Sequence, residues 1–134
     1  MGHDIEKEQV IKFYKVIWNE HNKSAVPEVL HESLKFRGSL GLEKKGYAGF
    51  IEYLDMVHRA LGDYRCEIKE IVSEQSKVFA KTQFSGIHKD EFMGVKATGR
   101  QLIWEGAALF HFSNGKVVSL WVLGDLDSLR SQLR

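Results

Sequence analysis

The sequence predicts an α+β fold, in which helices at the N-terminal end pack on one face of a curled antiparallel sheet. Apolar residues recur at helical spacing through the first half of the chain, and the period changes to two in the second half. The length of 134 residues suits one hydrophobic core, so we expect a single domain over residues 1–134. The chain has a single proline, and no linker or internal repeat interrupts these patterns.

Three helices are predicted in the first half of the chain. An apolar stripe predicts the first helix, with Asp4 as its N-cap. The stripe consists of Val10, Phe13, Tyr14, Ile17, Trp18 and His21. A short second helix is expected after Ser24, because Pro27 suits a first helical turn. The third helix follows Gly46 and is expected to stop at Gly62. Its apolar face contains Tyr47, Phe50, Ile51, Leu54, Val57, His58 and Leu61.

Alternating apolar and polar residues predict the strands, which we expect at residues 34–38, 64–69, 78–88, 102–112 and 117–123. The sequence Ser113-Asn114-Gly115-Lys116 indicates a hairpin between the last two. A two-residue turn would place Ser113 opposite Lys116. We adopt a three-residue loop, in which Gly115 is left-handed and Phe112 faces Lys116. Asp125 is then expected to cap a terminal helix through Leu133.

This register gives the last two strands one face made only of apolar residues and glycine, which we interpret as the pocket side. The face comprises Trp104, Gly106, Ala108, Phe110, Phe112, Val118, Leu120, Val122 and Gly124. The opposite face carries Leu109, Trp121 and Leu123, which also need cover. We therefore expect a homodimer, or a tetramer, that forms through the face containing Trp121.

Charge and cysteine content exclude several classes of function. Lys and Arg number 19 and Asp and Glu 18, with no basic cluster, so a nucleic-acid partner is not expected. The single cysteine, Cys66, forms no disulfide within the chain, which favours a reducing, cytoplasmic setting. Charged residues in the first helix argue against a membrane span. Neither metal-ligand spacing nor a phosphate-binding loop is present, so we expect no metal or cofactor.

Several motifs point to one family. Gly86-Ile87-His88, Glu91-Phe92-Met93-Gly94-Val95 and Thr98-Gly99-Arg100 follow the order G-x-H, EF-x-G and TGR, and the stretch 110–117 agrees as well. These segments resemble the SnoaL-like polyketide cyclases over nearly the whole chain. The resemblance implies a nuclear transport factor 2-like fold (a cystatin-like α+β barrel): a cone-shaped curved antiparallel sheet, closed by N-terminal helices around an apolar pocket. It also implies a polyketide-like carbonyl substrate and acid/base chemistry by an aspartate, without a cofactor.

The resemblance also indicates where catalytic groups would stand. The cyclases' aspartate falls on Val122, its histidine partner on Ala108 and a helper asparagine on Phe36, and none of these side chains exchanges a proton. The family scaffold is thus expected without its acid/base residues.

Three other residues remain as catalytic candidates. His58 is either a hydrogen-bonded core residue or a neutral imidazole in the pocket. Glu91 would become a desolvated base if its loop folded over the pocket mouth. Asp125 follows Trp121 at the family spacing, although a helix cap is its favoured role. His88 is expected to fix its loop through a backbone hydrogen bond.

The predicted ligand-binding residues are the large or inward-facing ones: Trp18, Phe36, Tyr53, His58, Trp104, Ala108, Phe110, Leu120 and Val122. Three functions stay open. The protein is an acid/base enzyme acting on a small hydrophobic carbonyl compound, a non-catalytic binder of such a molecule, or a dimeric assembly module. An enzyme needs an ionisable group in the cavity, a binder needs an open cavity, and an assembly module would have its cone filled by aromatic side chains.

Overall fold

Four α-helices and a six-stranded sheet are seen in a computed structural model that describes residues 2–134, with side chains from Ile5 onward. The helices are α1 (Gly2–Lys12), α2 (Val26–Val29), α3 (Gly46–Ala60) and α4 (Leu126–Leu133). The strands are β1 (Leu30–Arg37), β2 (Glu43–Lys45), β3 (Leu61–Glu74), β4 (Lys77–His88), β5 (Gln101–Ser113) and β6 (Lys116–Gly124). Because α1 begins at Gly2, Asp4 lies within the helix and not at its N-cap as predicted.

The first helix continues past Lys12 as a π-helical segment, Phe13–Trp18. At its end the Asn19 amide donates to the carbonyl oxygen of Tyr14, five residues earlier, at 2.8 Å. The wide turn buries both members of two adjacent pairs: Phe13 with Tyr14 and Ile17 with Trp18. π-helical turns recur at functional sites, and this one directs four large side chains toward the sheet.

The sheet has the order β2-β1-β6-β5-β4-β3. The predicted α+β architecture is confirmed, and four of the five strand pairs are antiparallel. Strands β1 and β6 pair in parallel, and the short edge strand β2 covers the other side of β1; neither was predicted. Helix α3 ends at Ala60 rather than at Gly62, because β3 begins directly at Leu61.

The hairpin between β5 and β6 has a two-residue turn, so the predicted three-residue loop is wrong. Ser113 pairs with Lys116, and the two turn residues, Asn114 and Gly115, have φ values of 50° and 79°. Two consecutive left-handed residues form the turn type whose twist matches that of the flanking strands.

A bulge then restores the predicted faces. Phe112 pairs with Val117 and His111 with Ser119, which leaves Val118 as the extra residue on β6. One inserted residue changes the alternation by one step, and this cancels the error made at the turn. Val117, rather than Val118, is therefore the buried residue beside the turn.

The sheet has a buried inner face, which packs on the helices, and a partly exposed outer face. Inner-face residues on the last two strands are buried as predicted: Trp104, Ala108, Phe110, Leu120 and Val122. Large apolar residues on the outer face are exposed: Val72, Phe79, Ile103, Trp121 and Leu123. Within residues 2–134, no helix is long and apolar enough to cross a membrane.

Candidate functional site

A small apolar cavity lies between the inner face of the sheet, the π-helical segment and α3. Most of its wall is aromatic: Phe13, Tyr14, Trp18, Phe36, Tyr53, Tyr64, Phe84, Phe92 and Trp104, with Ser39, Leu40, Val57 and Val122 between them. Its volume is about 20 Å³, which is room for a single water molecule. The cone is thus nearly filled by its own side chains.

Two hydrogen-bond donors of this wall have no partner. The hydroxyl of Tyr14 and the indole Nε1–H of Trp104 are buried and make no hydrogen bond within the described part of the chain. Buried polar groups are nearly always paired, and an unpaired one costs about 1–3 kcal/mol. Two donors in the wall of one cavity thus lack an acceptor among the described residues.

The titratable groups of the cavity wall are tyrosines. Burial raises the pKa of Tyr14 and of Tyr64 well above the ordinary phenol value, and nearby Cys66 adds to the effect. Burial also raises the pKa of Tyr53, although hydrogen bonds with Ser39 and the Leu40 backbone lower it in part. All three phenols therefore stay protonated and uncharged at neutral pH.

Five of the nine predicted ligand-binding residues line this cavity: Trp18, Phe36, Tyr53, Trp104 and Val122. Ala108, Phe110 and Leu120 are buried on the same face of the sheet but do not reach the cavity. Sequence reasoning missed Tyr14, which it placed on the core stripe, and Phe84 and Phe92. The alternation of buried residues along β4 could have indicated Phe84, and the EF-x-G motif could have indicated Phe92.

His58 lies outside the cavity wall, contrary to its predicted place in the pocket. Its ring stacks on Trp18 from the far side, and its Nε2–H donates to the Trp18 carbonyl oxygen at 2.7 Å. The ring also stacks on that of His21, with centroids 4.0 Å apart. Burial lowers the pKa of His58, and the neighbouring His21 lowers it further. The hydrogen-bonded structural role is the one that this geometry supports.

The two carboxylate candidates also lie outside the inner cavity. Asp125 is the N-cap of α4, where its Oδ1 accepts from the Ser128 amide at 3.1 Å. Glu91 is exposed on the loop after β4. Among the described residues, no histidine or carboxylate lines the inner cavity, and no group of three metal-ligating side chains occurs.

The loop at residues 89–99, which we call the mouth loop, carries the family motifs and is held by His88. The buried His88 ring donates from Nε2 to the Val95 carbonyl oxygen at 3.1 Å. Its Nδ1 accepts from the Thr98 amide at 3.2 Å and lies 2.9 Å from the Thr98 hydroxyl. The predicted loop-fixing role of His88 is thus what its contacts provide.

The mouth loop places Phe92 over the cavity. Phe92 and Val95 exchange two backbone hydrogen bonds, of 2.9 and 3.0 Å, around a turn at Met93 and Gly94. The buried Phe92 ring lies 6.3 Å from the Trp104 ring, between centroids. On its other side lies an open surface groove of about 530 Å³.

Comparison with solved structures finds the same fold in proteins of low sequence identity. A SnoaL-type protein from Jannaschia sp. CCS1 superposes with a TM-score of 0.89 at 14% identity, covering 98% of this chain and 92% of its own. TsrD from Streptomyces laurentii superposes with a TM-score of 0.86 at 21% identity, covering 96% of this chain and 94% of its own. A SnoaL-like polyketide cyclase from Agrobacterium tumefaciens superposes with a TM-score of 0.81 at 19% identity, covering 96% of this chain and 98% of its own. These similarities confirm the expected fold class, the nuclear transport factor 2-like type.

Sequence comparisons identify the family. Curated proteins give no significant match to the sequence. The family model of the SnoaL-like polyketide cyclases matches residues 8–133, nearly the whole chain. The chain therefore belongs to the SnoaL-like polyketide cyclase family.

Proposed function

We propose that this protein binds a small hydrophobic carbonyl compound with its carbonyl oxygen in the inner cavity, without performing the acid/base chemistry of a cyclase. The observation that carries the proposal is the pair of unpartnered donors, Tyr14 Oη–H and Trp104 Nε1–H, in an otherwise apolar wall. A ketone or ester oxygen is an acceptor without a donor, so it suits such a pair. Aromatic side chains around it suit an apolar, flat molecule.

The absence of a base supports binding over catalysis. General acid/base catalysis requires a group that exchanges a proton near neutral pH. Among the described residues of the wall, the ionisable groups are phenols whose pKa values are raised by burial. Val122, which stands where the resemblance places the catalytic aspartate, has no proton to exchange. Tyr14 and Trp104 would hold and polarise a carbonyl group without removing a proton from it.

A matched pair of probes tests this proposal. Acetophenone and ethylbenzene have similar size and shape, but only acetophenone carries an acceptor oxygen. Their binding is followed through the indole ¹⁵N–H signals of the three tryptophans, with outer-face Trp121 as the internal reference. We expect acetophenone to shift the Trp104 signal and to bind about tenfold more tightly, the equivalent of one hydrogen bond. Equal affinities, or no shift at Trp104, would contradict the proposal.

The small size of the cavity favours a second candidate, an assembly module. The outer face carries a row of apolar residues on four neighbouring strands: Val72, Phe79, Leu109 and Trp121. The Arg37 guanidinium ends this row, 5.8 Å from the Trp121 ring centroid. We propose that a second copy of the chain covers this row. A homodimer is compatible with ligand binding, so failure of both probes to bind would leave assembly as the function.

A further inference from the structure

The inner cavity is separated from the surface groove by two side chains. Leu40, from the turn between β1 and β2, and Phe92, from the mouth loop, line both spaces. We call the surface groove the outer groove. The inner cavity measures about 20 Å³ and the outer groove about 530 Å³. The inner cavity offers the two free donors but is too small to enclose an organic ligand. The outer groove is large enough but offers neither donor.

We propose that the inner cavity and the outer groove together form one site for an elongated carbonyl compound, divided by Phe92 when no ligand is bound. The carbonyl end lies against Tyr14 and Trp104, and an uncharged apolar tail lies in the outer groove. Phe92 is then the residue that determines which ligand lengths fit. This inference rests on the proposed function, because it takes the same donors as the anchor of the ligand.

The walls of the outer groove suit an apolar tail. Leu42 is 46% exposed there, and Met56 and Met93 are partly buried beside it. Methionine side chains are flexible and polarisable, so they adapt to ligands of different shape. Arg59, Asp90 and Glu91 also line the groove, and this excess of one negative charge disfavours a carboxylate on the ligand.

The construction of the mouth loop allows Phe92 to move without unfolding the domain. Residues 92–95 form a turn closed by their own two hydrogen bonds, and Met93 has a φ of 52°, which is unfavourable for a side-chain-bearing residue. The His88 ring holds the loop at Val95, the last residue of this turn, and at Thr98. On the other side of the turn, the amides of Lys89 and Asp90 donate to the Ala60 carbonyl oxygen at 3.0 and 3.3 Å. The proposed opening is therefore confined to residues 91–94, between these anchors, and carries the Phe92 ring away from Trp104.

Two sets of signals report the two halves of the site separately. The chain has three methionines, and two of them, Met56 and Met93, line the outer groove. ¹³C-methyl methionine signals therefore report the groove, and the Trp104 indole signal reports the inner cavity. Acetophenone serves as the short probe and 4-hexylacetophenone, whose alkyl chain lies opposite the carbonyl group, as the long one.

The proposal predicts that both probes shift the Trp104 signal, and that only the long probe also shifts the Met56 and Met93 methyl signals. Suppose that the long probe shifts the Trp104 signal but not the methionine signals, or that the short probe binds and the long one does not. Either result refutes the elongated site and leaves the carbonyl site standing. If the long probe shifts the methionines without Trp104, the groove binds independently and the joined site is refuted. If neither probe shifts Trp104, the proposed function itself fails.

Substitution of Phe92 provides a second, independent test. Phe92→Ala removes the larger of the two side chains that separate the spaces, and with it most of the conformational cost of opening, so we expect about tenfold tighter binding of both probes. Phe92→Leu retains an apolar side chain and covers the case in which the alanine variant folds poorly. Ile11→Ala, at an exposed apolar residue of α1 that lines neither space, is the control and should leave affinity unchanged. Unchanged or weaker probe binding in both folded Phe92 variants would overturn the role given to Phe92.

Discussion

The Phe84 ring lies directly over Gly106 of the neighbouring strand: a Cβ at Gly106 would stand 2.9 Å from the ring atom Cζ. Gly106 is paired with Thr82 on one side and with Gly124 on the other. At Gly124, an added Cβ would lie 3.2 Å from Trp104 Nε1. The two glycines therefore leave space on the inner face of the sheet, and the two aromatic rings that wall the cavity occupy it.

Gly106→Ala is expected to destabilise the protein through this overlap, by about 1–3 kcal/mol, the usual cost of overpacking a core. The cost should be smaller in a Phe84→Ala background, where the clashing ring is absent and the Leu123 carbonyl oxygen, 3.0 Å from the added Cβ, is the close contact that remains. A double-mutant cycle of chemical denaturation measures both effects. An equal cost of Gly106→Ala in the two backgrounds would show that backbone conformation, and not the Phe84 ring, requires the glycine.

Trp121→Arg is expected to convert a homodimer into a monomer, because a charge would lie in the middle of the apolar row on the outer face. Sizing chromatography with light scattering gives the mass directly. Leu42→Arg is the matched control, since Leu42 is similarly exposed but lines the outer groove. An unaltered dimer in the Trp121 variant, or a monomeric unsubstituted protein, would refute this assignment of the interface.

His88→Ala is expected to loosen the mouth loop. It removes the acceptor of the Thr98 amide and the donor to the Val95 carbonyl group, so the Thr98 amide should exchange with solvent more rapidly. Thr98→Val is the control, because it deletes the hydroxyl and keeps the amide hydrogen bond to Nδ1. Hydrogen exchange measured by NMR tests the prediction. If the residue 98 amide were equally protected in all three proteins, His88 would not be the anchor.

Stability is expected to fall in mild acid because of His58. The pKa of His58 is held below its ordinary value of 6.5, mainly by burial, so the fold favours the neutral ring. As the pH falls below about 6.5, the unfolded chain takes up this proton first. The contribution of His58 to stability is therefore present above that pH and is lost below it.

The variant His58→Gln retains a donor for the Trp18 carbonyl oxygen and does not titrate. Its free energy of unfolding should fall less between about pH 7.5 and pH 5.5 than that of the unsubstituted protein. The pKa of Asp55 is lowered, chiefly by its hydrogen bond with His21, from an ordinary value of 3.8, so its own stability loss lies at more acid pH. Identical pH dependence in the two proteins would contradict the structural role of His58.

Local patterns predicted much of the fold. The apolar stripe of α3 and the alternation along β5 and β6 identified the buried faces, because burial imposes those periods on the sequence. The faces were correct even though the turn was wrong, since a two-residue turn with one bulge gives the same alternation as a three-residue loop. The parallel pairing of β1 with β6 was not predicted, because it joins segments far apart in the chain.

The candidate site was less predictable, because it depends on how rings are turned and whether polar atoms find partners. Periodicity places His58 on the inward stripe, but its ring points to the Trp18 carbonyl oxygen on the outer side of the wall. Tyr14 was assigned to the core from the same stripe, and nothing in that pattern shows that its hydroxyl is unpaired. The family motifs contain Phe92 and His88, but nothing in those motifs shows that both residues lie around the cavity mouth.

The central claim is that Tyr14 and Trp104 hold a ligand oxygen. The variant Tyr14→Phe tests this claim most directly, provided that its stability and its ligand affinity are both measured. The hydroxyl has no partner among the described residues, so its removal should leave the free energy of unfolding unchanged or slightly higher. Calorimetric titration with acetophenone should nevertheless give about tenfold weaker binding, with no change for ethylbenzene. Lower stability with unchanged acetophenone affinity would mean that the hydroxyl serves the fold, and would contradict the account.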